Sequence, residues 1–197
     1  MEWLAQELEY GLASRPLLNV PNILTLIRVG LIPVLVLITF TTYDWRYWAA
    51  AAVFGLASIT DWFDGYLARV LNQTSAFGRF LDPVADKLMV AAALVLLVQW
   101  HSDIWMVIPA IVIISREITI SALREWMAEL GKRASVAVSF IGKLKTAAQM
   151  VSINVLLAHL KWLDPFGYAL LYVAAVLTIW SMLVYMRAAW PDLRDAD

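Results

Sequence analysis

Six charge-free apolar stretches recur along the chain: Val29 to Tyr43, Tyr47 to Thr60, Leu88 to Trp100, Ile104 to Ser115, Thr146 to Ala158 and Pro165 to Met186. A membrane-spanning helix needs about 20 mostly apolar residues, and only the last stretch meets that length without help. Each of the others must be extended at one end through charged residues to cross a bilayer. The pattern therefore predicts six helices, at about 20–44, 46–70, 82–100, 104–127, 142–161 and 165–188. Alternating ten-residue segments, the mark of a membrane barrel, are absent from the sequence, so the expected fold is all-α, a polytopic bundle of six transmembrane helices over residues 20–197. Ahead of it, Trp3 or Leu4, Leu8 and Leu12 recur at helical spacing among Glu2, Glu7 and Glu9. Residues 1–19 thus read as an interfacial amphipathic helix.

Composition sharpens this picture. The chain is 62% hydrophobic and 16% charged, with a mean hydropathy of +0.72, whereas soluble domains carry about 25% charged residues. A net charge of -1 and the absence of cysteine exclude a nucleic-acid partner and a disulfide scaffold. Charge also sets the orientation. The loops near 41–46, 101–104 and 161–164 hold only Arg46 and Lys161 of the fifteen Lys and Arg residues. The other thirteen lie on the side of the termini, so both termini are expected in the cytoplasm. Every charge-interrupted helix end falls on that same face, and an intramembrane charge costs about 2.5–3.5 kcal/mol on insertion scales. Such charges mark a functional cavity, here one open to the cytosol.

The densest chemistry runs from Asp61 to Asp86. Asp61 and Asp64 are three apart, Asp82 and Asp86 four apart, so each pair shares a helix face. A turn near Asn72 to Ala76 is expected to bring the two helices together as antiparallel neighbours, with the four carboxylates converging. Carboxylates crowded in a low-dielectric cavity repel unless a cation is present. Oxygen-only ligands without His or Cys nearby point to a hard divalent ion, Mg²⁺ or Mn²⁺, and four of them suit two ions about 3.5–4 Å apart. Gly65 and Ala68 share the face of Asp61, and Gly78 that of Asp82 and Asp86, which leaves room for a flat group or a phosphate against the backbone. Small-residue helix contacts would account for Gly65 and Ala68 taken alone.

Read as D-x2-D-G-x2-A-R-x8-G-x3-D-x3-D, residues 61–86 resemble without departure the signature of the CDP-alcohol phosphotransferase family. The resemblance implies a six-helix membrane enzyme that moves a phosphatidyl group from CDP-diacylglycerol to an alcohol and releases CMP. It implies two divalent metal ions on Asp61, Asp64, Asp82 and Asp86, with Asp86 a ligand or the general base. It places Asp61, Gly65, Ala68, Arg69 and Gly78 around the CDP moiety, and it implies a homodimer through helices three and four in a bacterial inner membrane.

Acceptor choice rests on other segments. Residues 116–126 read Arg-Glu-Ile-Thr-Ile-Ser-Ala-Leu-Arg-Glu-Trp and residues 142–146 Gly-Lys-Leu-Lys-Thr. Arg116, Arg124, Lys143 and Lys145 fall on the cytoplasmic parts of helices four and five, and a basic pocket beside a metal site implies an anionic acceptor. With Pro21 to Arg28, these segments resemble the branch of the family that uses sn-glycerol 3-phosphate, over about residues 19–187. Arg124 has an alternative role, snorkelling or pairing with Glu117 or Glu125, and Lys132 and Arg133 read as topology charges. Asn22, Thr25 and Arg28, three apart on helix one, serve either the nucleotide pocket or a helix start with an interfacial anchor. His101 and His159 read as interfacial, and Trp45, Trp48, Trp100, Trp105 and Trp162 as an aromatic belt. Other members of the fold, acting on serine or phosphatidylglycerol, would share residues 61–86; the basic cluster counts against serine. A small cation transporter would also carry carboxylates at membrane depth, but it gives no reason for Gly65, Ala68, Arg69 and Gly78.

Overall fold

Six helices follow one another in the computed structural model, which describes residues 19–70, 75–129 and 140–194. They are α1 (Val20–Thr39), α2 (Arg46–Val70), α3 (Ala76–His101), α4 (Ile104–Glu129), α5 (Phe140–Leu157) and α6 (Asp164–Arg194). The amphipathic segment expected over residues 1–18 and most of the turn expected after Asn72 lie outside the described residues.

Helix α2 has the bounds its sequence predicts; the ends of the others move for local reasons. Helix α1 stops at Thr39 and not near 44, where Thr39 Oγ1 donates to the Val36 carbonyl and Thr41 Oγ1 to that of Ile38. Such side-chain bonds satisfy carbonyls at a helix end and compete with continuation. Helix α3 starts six residues before the expected 82, because Ser75 is its N-cap and accepts from the Gly78 amide at 2.9 Å. Helix α5 ends at Leu157, short of 161, ahead of a turn in which His159 takes a positive φ of 50°. Helix α6 runs on to Arg194.

Among the described residues, three helices, Val20–Thr39, Ile104–Glu129 and Asp164–Trp190, are long and apolar enough to cross a membrane by length and composition. Helices α2 and α3 carry Asp61, Asp64, Arg69, Asp82, Asp86 and Lys87 within their length. Large apolar side chains cover the outside: Leu37, Leu56, Ile111, Ile118, Val176 and Trp180 are all exposed. An aqueous surface would not tolerate so continuous an apolar cover, and lipid does, so the chain is a membrane protein.

The interior is divided along its length. One apolar core joins Leu35 of α1, Phe54 of α2, Leu94 and Leu97 of α3, Met106 and Ile113 of α4, Ile153 and Leu156 of α5 and Leu171 of α6. These residues come from the second halves of α1, α3 and α5 and the first halves of α2, α4 and α6, which is one end of an up-and-down bundle. Helices α5 and α6 approach most closely there: a Cβ on Gly167 would lie 2.7 Å from Leu156, and Ser152 Oγ donates to the Gly167 carbonyl at 2.7 Å. At the other end, the described residues form a small apolar cluster of Ile120, Leu123, Met127 and Ala189 between α4 and α6. That second end is where the polar residues gather.

The expectation that α2 and α3 pack as direct neighbours needs correction. Among the described residues, helix α1 packs extensively on both, while α2 and α3 touch each other little. Helix α1 is wedged between the two aspartate-bearing helices.

Candidate active site

The wedge determines what the aspartates touch. Pro21 at the start of α1 has a preset backbone angle suited to a first turn, and Asn19 caps the helix by accepting from the Asn22 amide at 3.0 Å. One face of α1 then presents Asn22, Thr25 and Arg28, each buried to within 1%. Arg28 Nη1 donates to Asp61 Oδ1 of α2 at 2.7 Å. Thr25 Oγ1 donates to Asp82 Oδ1 of α3 at 2.6 Å. One helical turn of α1 therefore holds one carboxylate from each neighbour by one oxygen.

Asn22 occupies the next position along. Its Nδ2 donates to Ser75 Oγ at 2.9 Å, beside the same hydroxyl that caps α3. A Cβ on Gly78 would collide with Asn22 Oδ1. The room that Gly78 leaves is taken by the Asn22 amide, so its smallness serves helix contact here. Gly78→Ala should thus part α1 from α3. We expect lower thermal stability in detergent together with reduced CMP release, read by a melting curve and an activity assay on the same preparation; an unchanged melting point would contradict this packing role.

Asp86, one turn beyond Asp82 on α3, lies within electrostatic reach of Asp61, Arg28, Glu117 and Lys87. The side chains of Asp64, Gly65, Ala68, Arg69 and Lys143 fall outside the described residues. Among the described residues no three His, Cys, Asp or Glu side chains form a group able to hold a metal ion. In chemistry the donor set fits a hard divalent cation all the same: Asp61, Asp82 and Asp86 offer only oxygen, and two of the three are steadied by α1.

Asp86 also borders a second polar space. A cavity of about 230 Å³ is lined by Asp86 and Lys87 of α3, Arg116, Glu117 and Arg124 of α4, Lys145 of α5 and Ser181 of α6. Drug-sized ligands occupy roughly 300–1,000 Å³, so this space admits a small polar molecule. Lys145 is 5% exposed and its Nζ lies 3.2 Å from Glu117 Oε1. Arg116 bonds Glu117 Oε1 through Nη1 and Ser181 Oγ through Nη2. The guanidinium of Arg124 lies over the Tyr185 ring at 5.6 Å, a cation–π contact rather than the carboxylate pairing the sequence offered. Lys87 Nζ donates to Ser121 Oγ. Lys87 is a member of the cavity that the sequence pattern did not single out, and it sits beside Asp86, which it did; Glu117, offered there as a partner for Arg124, instead meets Arg116 and Lys145.

His101 and His159 lie at the opposite end, ring centroids 5.4 Å apart, packed with Tyr47, Trp100 and Tyr168. Fifteen residues of α3 separate Asp86 from His101, about 22 Å at 1.5 Å per residue. Trp45, Trp48, Trp105 and Trp162 are exposed at that same end.

The arrangement is that of a membrane protein whose Asp86 borders a cationic cavity, with Asp82 and Asp61 held by α1. Residues 18–180 match the family model for CDP-alcohol phosphatidyltransferase, and the chain belongs to that family. It is 57% identical over 178 residues to proteins of Shigella flexneri, Shigella boydii and Escherichia coli, covering 90% of this chain and 98% of each relative. Each of those relatives carries the name CDP-diacylglycerol–glycerol-3-phosphate 3-phosphatidyltransferase.

Proposed function

We propose that this chain transfers the phosphatidyl group of CDP-diacylglycerol to sn-glycerol 3-phosphate, giving phosphatidylglycerophosphate and CMP. One observation carries the acceptor assignment: the cavity that reaches Asp86 is walled by Arg116, Arg124 and Lys145. Four cations, Lys87, Arg116, Arg124 and Lys145, face two carboxylates, Asp86 and Glu117, a formal charge of +2. Such a lining suits a phosphate dianion better than a neutral alcohol or zwitterionic serine.

In this reading the acceptor's phosphate rests among the cations and its free hydroxyl points toward Asp86. The hydroxyl oxygen forms a bond to the phosphorus that bears the diacylglycerol, the bond from that phosphorus to the CMP oxygen breaks, and Asp86 takes the hydroxyl proton. Asp61, Asp64, Asp82 and Asp86 would hold two divalent ions, Mg²⁺ or Mn²⁺, which when bound neutralise the diphosphate and the charge developing on CMP. Thr25 and Arg28 fix the directions of Asp82 and Asp61, so that little reorganisation is left for the reacting state. Gly65, Ala68 and Arg69 complete the CDP-binding side by their place in the family signature, with Lys143 joining the acceptor side. Purified protein given CDP-diacylglycerol, divalent metal and a panel of glycerol 3-phosphate, serine and phosphatidylglycerol should release CMP with the first alone. Release with serine or phosphatidylglycerol at a similar rate would refute the acceptor assignment.

The same proposal places six spans in a bacterial inner membrane, with both termini and the site cytoplasmic and the chain a homodimer. Support for the orientation is the bias of basic residues toward the side of the termini. Because the chain has no cysteine, single replacements report cleanly. Ser135→Cys should resist a membrane-impermeant thiol reagent added outside intact cells, and Lys161→Cys should react; the reverse pattern would invert the topology.

A further inference from the structure

One carboxylate in the cavity lies among its cations and takes no part in the reaction described above. Glu117 Oε1 accepts from Arg116 Nη1 at 2.5 Å and from Lys145 Nζ at 3.2 Å, so a single oxygen ties a residue of α4 to one of α5. The other terminal nitrogen of Arg116, Nη2, donates to Ser181 Oγ on α6 at 3.3 Å. The guanidinium is thereby held at both terminal nitrogens, while its Nε is buried and has no hydrogen-bond partner among the described residues. Lys145, 5% exposed, has two further ammonium protons beyond the one that meets Glu117.

Long basic side chains lose much rotamer freedom when ordered, and two buried cations side by side repel one another unless a counter-charge lies between them. Glu117 removes both difficulties before any substrate arrives. It also sets the lining at +2, where its loss would leave +3. We propose that Glu117, assisted by Ser181, is a positioning residue for the acceptor: it clamps Arg116 and Lys145 so that their remaining N–H donors meet the acceptor's phosphate. The inference rests on the assignment of this cavity to the acceptor. Glu117 touches neither reacting atom and acts only through the two cations.

The test uses the full chain in lipid nanodiscs or mixed micelles, with KM measured separately for sn-glycerol 3-phosphate and CDP-diacylglycerol. Glu117→Ala should raise the KM for glycerol 3-phosphate about 10- to 100-fold, the size of one or two hydrogen bonds to charged groups. The KM for CDP-diacylglycerol should stay within about twofold, since a uniform-binding loss confined to one substrate leaves the other untouched. Glu117→Gln keeps an acceptor oxygen at the same place and should recover most of the loss. If Glu117→Ala does not purify, Glu117→Asp, which withdraws the carboxylate by one methylene, should show the same one-sided rise. Arg116→Ala separates this inference from the reading beneath it. A raised glycerol 3-phosphate KM in Arg116→Ala with none in Glu117→Ala overturns the positioning role and leaves the acceptor site standing. Equal damage to both substrates in Glu117→Ala makes the ion pair a packing feature and also overturns it. A silent Arg116→Ala removes the acceptor assignment and the positioning role with it.

Discussion

Asp82→Asn should yield a protein that inserts, purifies and melts like the parent yet releases CMP at least about 10³-fold more slowly, the scale of losing a preorganised electrostatic contact to the reacting group. The Asp82 side chain has two separable jobs. Asn keeps an oxygen where Asp82 Oδ1 accepts from Thr25 Oγ1 at 2.6 Å, so the joint between α1 and α3 survives. What it lacks is the negative charge that a divalent ion requires. The loss should therefore persist at every Mg²⁺ or Mn²⁺ concentration. Activity near normal at any of them would remove the carboxylate cluster from the reaction.

Asp61→Ala should behave differently, losing activity and stability together. Its Oδ1 anchors Arg28, whose side chain is 1% exposed while that of Asp61 is 43% exposed. A hydrogen bond to a charged group contributes about 1.5–3 kcal/mol, and the Arg28 end of this one is buried. A melting curve in detergent should show Asp61→Ala well below both the parent and Asp82→Asn. Identical melting of the two variants would mean that the α1–α2 ion pair contributes nothing to holding the bundle.

Much of this architecture was legible in the sequence because the bilayer imposes a length rule on apolar runs, and because charges inside such runs need a reason. Helix α2 and the grouping of polar residues at one end both followed from those two facts. The start of α3 was misread for the same reason: the length rule looks for apolar residues, whereas the start is set by a cap at Ser75, outside any apolar run. The packing of α1 between α2 and α3 was not legible at all. Local sequence spacing says which residues share a face of one helix, and it is silent on which helix that face meets. Thr25 and Arg28 were visible as a polar stripe; their partners Asp82 and Asp61 lie 57 and 33 residues away. Gly78 shows the same limit, since a gap in a helix face reads alike whether substrate or a neighbouring Asn22 fills it. Glu117 reads from the sequence only as a partner for Arg124, because it adjoins Arg116 in the chain and neighbours at i, i+1 on a helix do not face each other squarely. Lys145 of α5 brings out its role, which only the folded bundle reveals.

The claim on which the rest depends is that the cations beside Asp86 recognise the phosphate of the acceptor. Glycerol keeps both hydroxyls of glycerol 3-phosphate and has a third in place of the phosphate, so CMP release with each acceptor, by the parent and by Arg116→Ala, isolates it. The account predicts that Arg116→Ala loses about 10- to 150-fold in kcat/KM on glycerol 3-phosphate, equivalent to 1.5–3 kcal/mol of charged hydrogen bonding, and almost nothing on the slow background reaction with glycerol. An equal loss on both acceptors would contradict it.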